Sequence, residues 1–329
     1  MKREVGIYLG GIVLLAFLFL LSLRIGVLHL QNPLFDILFK NDHGVDAQTV
    51  WDIRMPRALG AIIFGAGLGF AGVIAQSVFR NPLAEPTLIG LSSGAVLGTI
   101  AVISSGAAVY GSRTNVYAAV LCAALTALVV QWLAPNKGFG FLLTGIAISS
   151  ILTSLAGLII TSSPKPSIQS LSFWNFGSLS LLNSETLRAT APVLEIGIIT
   201  SFFVARKLDI YSLGDASSHY LGVNPKRIRL WAIIALAFLI GASVSAIGSI
   251  AFIGLLIPHI VRALIGPAHR RLLSISGLVG AIVLLAADLV ARTAFQPHEI
   301  PLGLITSLIG APALIILIRR SRAQWVAHD

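Results

Sequence analysis

An all-α integral membrane protein, a polytopic bundle of about ten transmembrane helices, is the fold class this sequence predicts. Three observations carry that expectation. Only 11% of the 329 residues are charged and 56% are hydrophobic, with a mean hydropathy of +0.90; a soluble domain carries roughly 25% charged residues. The apolar residues fall in runs close to the ~20 residues that a helix needs to cross the hydrocarbon core. The sequence also lacks the ~10-residue alternating segments of a transmembrane barrel, so backbone groups that lipid cannot satisfy must pair within helices.

The runs cover residues 5–23, 58–78, 88–109, 116–133, 141–160, 190–204, 230–247, 250–265, 272–290 and 302–318. The first follows Met1-Lys2-Arg3 and imitates a signal sequence. Its 19 residues exceed the ~7–15 of a signal h-region and no Ala-x-Ala site follows, so it reads as a retained span. The second and third are rich in glycine, with Gly65-x-x-x-Gly69 and Gly90-x-x-x-Gly94-x-x-x-Gly98 placing small residues on one face. Such faces let backbones approach closely, which is how helices associate in lipid. In the fifth, Ser150, Ser154, Gly157 and Thr161 follow one helix face, widened by Thr144, Ser149 and Thr153. That stripe either lines a water-accessible path or hydrogen-bonds to neighbouring helices. The eighth is short and carries Pro258, and the ninth holds Asp288 and Arg292 at pairing distance near its outer end.

Ten spans place both termini on one side. With the N-terminus inside, fifteen of the 23 Lys and Arg residues lie inside and eight outside, which fits the positive-inside bias. Both termini are therefore expected in the cytoplasm. The basic residues flank apolar runs and form no stripe, so the net charge of +10 reads as a topology signal and not as a nucleic-acid surface. The single cysteine, Cys122, excludes an internal disulfide. No separate soluble domain is evident: residues 1–329 read as one transmembrane domain, with polar stretches at 30–56 and 162–188 outside and 207–229 inside.

Several function classes find little support. Gly90-Leu-Ser-Ser-Gly94 satisfies a serine-nucleophile pattern, and His259 would be the partner for an intramembrane protease, but Ser and Gly are also what helix crossings require. The seven histidines form no His-x-x-x-His pair and no Cys/His cluster, so no metal site is expected. An ion-coupled carrier would show a relay of buried carboxylates or histidines, which this chain lacks. No Gly-x-x-x-x-Gly-Lys-[Ser/Thr] occurs, so any ATP and its Mg must be bound by another subunit and no cofactor is expected on this chain.

Two polar segments remain. Arg54-Met-Pro-Arg57 puts cations at a helix start, against both the macrodipole and the charge bias, which suggests either an acidic partner outside or arginines snorkelling to lipid headgroups. Residues 213–225 read as a short helix punctuated by Gly214, Gly222 and Asn224-Pro225, a compact docking surface inside.

Together these motifs resemble the iron-complex and cobalamin permease family of bacterial ABC importers, the type II importers. The resemblance rests on Arg54-Met-Pro-Arg57, Arg80-Asn-Pro-Leu-Ala-Glu-Pro86, Gly90-Leu-Ser-Ser-Gly94, Trp174 with Gly177-Ser-Leu-Ser180, and Leu221-Gly-Val223. It continues through Gly248-Ser-Ile-Ala-Phe-Ile-Gly-Leu-Leu-Ile-Pro-His259, His269-Arg-Arg-Leu272, Ala287-Asp-Leu-Val-Ala-Arg292, Glu299-Ile-Pro-Leu-Gly303 and Gly310-Ala-Pro312. It spans nearly the whole chain, in order.

The resemblance implies a type II importer permease fold with ten spans, and a permease subunit that is not itself an enzyme. It implies a second permease subunit, identical or paralogous, and two ATPase subunits. An extracytoplasmic binding protein would deliver a ferric siderophore, haem or cobalamin through the cytoplasmic membrane; a ferric siderophore is the commonest cargo of the family. Asn81 and Leu83 fall on the family's cytoplasmic gate, and Lys137-Gly138-Phe139-Gly140 on a second gate where small hydroxyl residues are usual, so Phe139 departs from the pattern. Arg54, Arg57 and Arg292 match sites that pair with acidic residues of the binding protein. Leu213, Gly214, Asp215, Leu221, Gly222 and Val223 lie in what resembles the coupling element seated on each ATPase, about residues 207–229.

Overall fold

A computed structural model describes residues 2–26, 30, 44–87, 89–134, 139–163, 171–296 and 298–326. The helices are α1 (Lys2–Arg24), α2 (Val45–Gln48), α3 (Met55–Val78), α4 (Leu91–Ser104), α5 (Arg113–Leu133), α6 (Phe139–Ser162) and α7 (Leu171–Asn175). They continue with α8 (Ser184–Tyr211), α9 (Asp215–Tyr220), α10 (Pro225–Ile247), α11 (Ile253–Ile265), α12 (His269–Thr293) and α13 (Leu302–Val326). Among the described residues no strand occurs. Seven helices are long and apolar enough to cross a membrane, and α4, α11 and α13 are shorter apolar helices, so each of the ten apolar runs has its helix.

The boundaries move for local reasons. The run at 88–109 yields only the 14 residues of α4, because Gly90 at φ +93° starts the helix late and Gly106 at φ +79° follows its end. The run at 190–204 extends to the 28 residues of α8. Asn183 caps it, accepting the Thr186 N–H at 2.8 Å, and the polar first and last turns escape a hydropathy count. The Asn224-Pro225 pair starts α10, with the Asn224 side chain accepting the N–H groups of Lys226 and Arg227 and Pro225 in the first turn. Part of the outer polar stretch is helical as well: α2 and a π-helical turn, Thr49–Arg54, run directly into α3.

α3 and α10 are the buried axis of the bundle, whereas α1 and α6 leave most of their residues uncovered. Glycine explains the axis. A Cβ on Gly65 would stand 2.4 Å from the Gly280 carbonyl oxygen, and one on Gly69 would stand 2.2 Å from that of Ser276, so α12 lies backbone to backbone on α3. Gly94 and Gly98 do the same for α4 against α5, where a Cβ would meet Thr126 Oγ1 at 2.2 Å and the Ala118 carbonyl at 2.6 Å. Dispersion over such close surfaces replaces the hydrophobic drive that lipid does not provide.

Candidate functional site

α3 has 24 residues and is therefore about 36 Å long at about 1.5 Å per residue, and a polar cluster sits at each of its ends. At the Met55 end the π-helical turn delivers Arg54 and Arg57 into the bundle. Arg57 Nε donates to Asp288 Oδ1 at 2.8 Å and its Nη1 donates to Glu299 Oε1 at 2.7 Å. Arg292 Nη2 donates to the Ser22 carbonyl at 2.9 Å and to its Oγ at 2.5 Å, while Arg292 Nε lies 3.5 Å from Asp288 Oδ2. Arg54 Nη1 donates to the carbonyls of Leu23 and Arg24 at 2.8 and 2.7 Å, the orphan acceptors at the end of α1. Charged hydrogen bonds of this length are the strong kind.

All three arginines have partners inside the chain. Arg54, Arg57 and Arg292 are only 3%, 7% and 4% exposed, and Asp288 is fully buried. Of the cations opposed to the macrodipole, Arg57 finds two carboxylates of the same chain and Arg54 finds two carbonyls. The Asp288–Arg292 spacing correctly pointed to a pair; Arg57 nevertheless makes the shorter contact. Glu299 and Ser22 were missed. Glu299 stood in a quoted motif without a role, and nothing local marks Ser22, which is one more serine in an apolar helix.

Three motif segments meet nearby. Ser178 N–H donates to the Ile247 carbonyl, and the N–H groups of Leu302 and Gly303 donate to the carbonyls of Gly177 and Phe176 at 2.8 and 3.0 Å. Gly248 takes φ +72°, where a Cβ would stand 2.0 Å from the Trp174 carbonyl. Beside this knot opens a cavity of about 400 Å³ lined by Ser93, Thr153, Asn175, Ser249 and Ser307 among apolar residues that include Phe176 and Leu304, with no ionisable side chain in its wall.

The α6 stripe behaves differently from an interhelical seam. Ser150, Ser154 and Thr161 are exposed, and a Cβ on Gly157 would meet nothing within 4 Å. Ser150 and Thr161 donate to carbonyls of their own helix, and Thr153, donating to Ser93 Oγ at 3.3 Å, reaches across to α4 at the cavity wall.

At the Val78 end the chain turns sharply after Phe79. Arg80 takes φ +46°, its N–H bonding to the Ser77 carbonyl, and Asn81 N–H bonds to that of Gln76. Asn81 Oδ1 accepts the Leu83 N–H at 2.9 Å, fixing the turn from within. Arg80 Nη2 donates to the Tyr211 carbonyl at 2.7 Å and to Asp215 Oδ1 at 2.6 Å, and its guanidinium lies 4.1 Å from the Tyr211 ring centroid. At the far end of the turn the buried Glu85 carboxylate accepts the N–H of Phe252, itself at φ +69°, at the start of α11. Burial pushes the Glu85 carboxyl up to about 7, against the opposing effect of that hydrogen bond. Of the second gate, Gly138 lies outside the described residues, Phe139 begins α6, and two residues on Phe141 stacks on Phe79 at 4.4 Å between centroids.

The segment at 213–223, expected to be the coupling element, stands out from this end. Leu213, Tyr220 and Leu221 are 63%, 92% and 57% exposed, whereas Ser218 is buried and its hydroxyl donates to the Gly214 carbonyl at 2.7 Å. Gly214 and Gly222 take φ +110° and +75°, conformations that side chains resist, and bracket α9. Val223 packs back on the core.

A serine–histidine–aspartate series also occurs here, though not the one nominated from sequence. Ser77 Oγ lies 2.5 Å from His269 Nε2, and His269 Nδ1 lies 2.6 Å from Asp209 Oδ1. The order imitates a hydrolase triad. Yet Ser77 sits inside α3, is buried, and donates its hydroxyl proton to the Val73 carbonyl at 2.7 Å. It ties α3, α8 and α12 together and offers no exposed nucleophile.

A helical bundle with paired glycine seams, an open hydroxyl-bearing face and an apolar element projecting from one end is the build of a membrane permease. Comparison with known proteins makes this specific: the FecCD transport family model matches residues 14–320, and the chain belongs to that family. The hemin transport system permease HmuU of Yersinia pestis is 37% identical over 95% of each chain. The iron-uptake permease FeuB of Bacillus subtilis is 35% identical over 93% of this chain and 92% of its own. A solved metal-chelate type ABC transporter in an inward-facing conformation superposes with TM-score 0.82 at 30% identity, covering 96% of this chain and 99% of that one. PsaBC from Streptococcus pneumoniae, at 16% identity and TM-score 0.64, shows likeness of fold alone. The chain is thus a membrane-embedded ABC importer permease of the type II fold.

Proposed function

We propose that this chain translocates a ferric siderophore by alternating access, paired with a second permease subunit, driven by two ATPase subunits and supplied by an extracytoplasmic binding protein. With the N-terminus inside, the Val78 end of α3 faces the cytoplasm. There Asn81 and Leu83, with the start of α6, form the gate, and Leu213–Val223 seats on an ATPase. The exposed α6 face carrying Ser150, Ser154, Gly157 and Thr161 lines the pathway with its counterpart in the second subunit. Arg54, Arg57 and Arg292, each also engaged inside the fold, form the end of the bundle that meets acidic residues of the binding protein.

The observation that carries the cargo class is the cavity wall. It offers hydroxyl and amide groups and no ionisable side chain, which suits a chelate that hides its metal and presents neutral polar groups. Haem is the second reading, favoured by the hemin permease of Yersinia pestis. Its two carboxylates, however, would call for cations that this wall lacks. The test is reconstitution of the full complex in vesicles, with uptake of a labelled ferric hydroxamate, haem and cobalamin measured against ATP hydrolysis. ATP-dependent uptake of the hydroxamate above the other two is expected. Preference for haem would overturn the cargo assignment, and uptake driven by an ion gradient without ATP would overturn the whole reading.

A further inference from the structure

The turn that carries Asn81 and Leu83 is pinned at both ends, and the two pins differ. Glu85 holds it to α11 from a fully buried position. Arg80 holds it to the α8–α9 junction from a partly open one, the side chains of Arg80 and Asp215 being 28% and 38% exposed. Asp215 is the first residue of α9, the short element whose apolar residues project from the bundle.

The backbone at position 80 makes the choice of residue informative. A left-handed position just past a helix end is ordinarily glycine or asparagine, because a Cβ is disfavoured there. Arginine at φ +46° meets no local need of the turn. What it adds is the guanidinium, which reaches the Tyr211 carbonyl, the face of the Tyr211 ring and the Asp215 carboxylate together. Tyr211 is itself anchored: fully buried, with its hydroxyl donating to the Val78 carbonyl at 3.3 Å and receiving Arg229 Nη2 at 3.2 Å. Gly214 at φ +110° and Gly222 at φ +75° bracket α9, whereas Tyr211 is held in the core. Of the guanidinium's three contacts, only the one to Asp215 reaches into α9.

We propose that Arg80 is a positioning residue that couples α9 to the gate turn: its ion pair with Asp215 transmits displacement of the coupling element to Asn81 and Leu83. The inference rests on the importer reading above. In one position of α9 the pair holds the turn as seen here. In the other it pulls on, or releases, the N-terminal side of the turn while Glu85 holds the far side, so the turn pivots between a moving pin and a fixed one.

The experiment uses the whole transporter in vesicles, with its ATPase and binding protein, and reads substrate imported per ATP hydrolysed. Arg80→Gly removes the guanidinium while relieving the backbone, so unfolding temperature should hold or rise; imported substrate per ATP should fall about tenfold while hydrolysis continues. Arg80→Asp should show the same uncoupling, and its combination with Asp215→Arg should restore at least half of the wild-type ratio. A purely structural turn residue would give a wild-type ratio in Arg80→Gly, and that result would overturn the proposal. Absence of recovery in the double exchange, with the protein folded, would overturn it too. Failure of the wild-type complex to import at all would instead count against the importer reading, so the two failures remain distinct.

Discussion

The two ends of α3 treat their arginines in opposite ways. At the Met55 end Arg54, Arg57 and Arg292 are buried, bonded to carboxylates and helix-terminal carbonyls, and tie α1, α3, α12 and the Glu299 loop into one block. At the Val78 end Arg80 and Asp215 are partly open, and the large apolar side chains of Leu213, Tyr220 and Leu221 beside them are exposed. The difference lies in what satisfies each group. A buried charge must be matched inside the fold, since leaving it unpaired costs several kcal/mol, and that requirement makes the first end rigid. A half-exposed pair costs little to break and remake, which is what a moving part requires.

The contrast can be broken most forcefully at Asp288. Replacing it with alanine leaves Arg57 and Arg292 facing each other without their shared carboxylate and should cost about 3–5 kcal/mol. Thermal unfolding in detergent measures this; a loss below about 1 kcal/mol would mean that the cluster is not a clamp.

Glu85 provides the next effect, at the other end. Its folded-state carboxyl titrates near 7, above its ordinary value of 4.5. The protonated form is therefore favoured by folding, so its contribution is fully present below about pH 4.5 and is lost as pH rises through about 7. At about 1.4 kcal/mol per pH unit the swing approaches ~3 kcal/mol. Wild type should lose that much relative to Glu85→Gln between pH 4.5 and pH 8. A gap that does not change with pH would show that the carboxylate is solvated or paired after all.

The smallest effect on stability belongs to the projecting element. Leu213→Ser with Tyr220→Ser touches exposed side chains and should move stability by no more than about 0.5 kcal/mol. Retention of the ATPase during purification should nevertheless fall by roughly an order of magnitude, because apolar area at the centre of an interface carries most of its affinity. Unchanged retention would remove that surface from the coupling site.

Much of this molecule was legible in one dimension. Apolar runs of membrane length gave ten helices, because in lipid the chain has no other way to satisfy its backbone. The glycine spacings marked seams, although the partner of α3 proved to be α12, some 200 residues away, and periodicity says nothing about partners. The Asn224-Pro225 pair announced a helix start because capping is a local bond. The arginine motif was read as a demand for negative charge, and Arg57 finds that charge within its own chain. Asp288 and Glu299 lie 231 and 242 residues from Arg57, and no sequence spacing encodes that approach. The same distance in sequence hid the Ser77–His269–Asp209 tie and the Arg80–Asp215 pair.

By itself, then, the sequence determined that this protein lies in a membrane, where its helices run, and which short segments are polar against an apolar background. These are properties of local composition and of backbone chemistry in a solvent without water. Only the tertiary structure decided which charges are spent within the chain and which stand at its surface, since burial and pairing depend on distances between residues that the order of the chain leaves unconstrained.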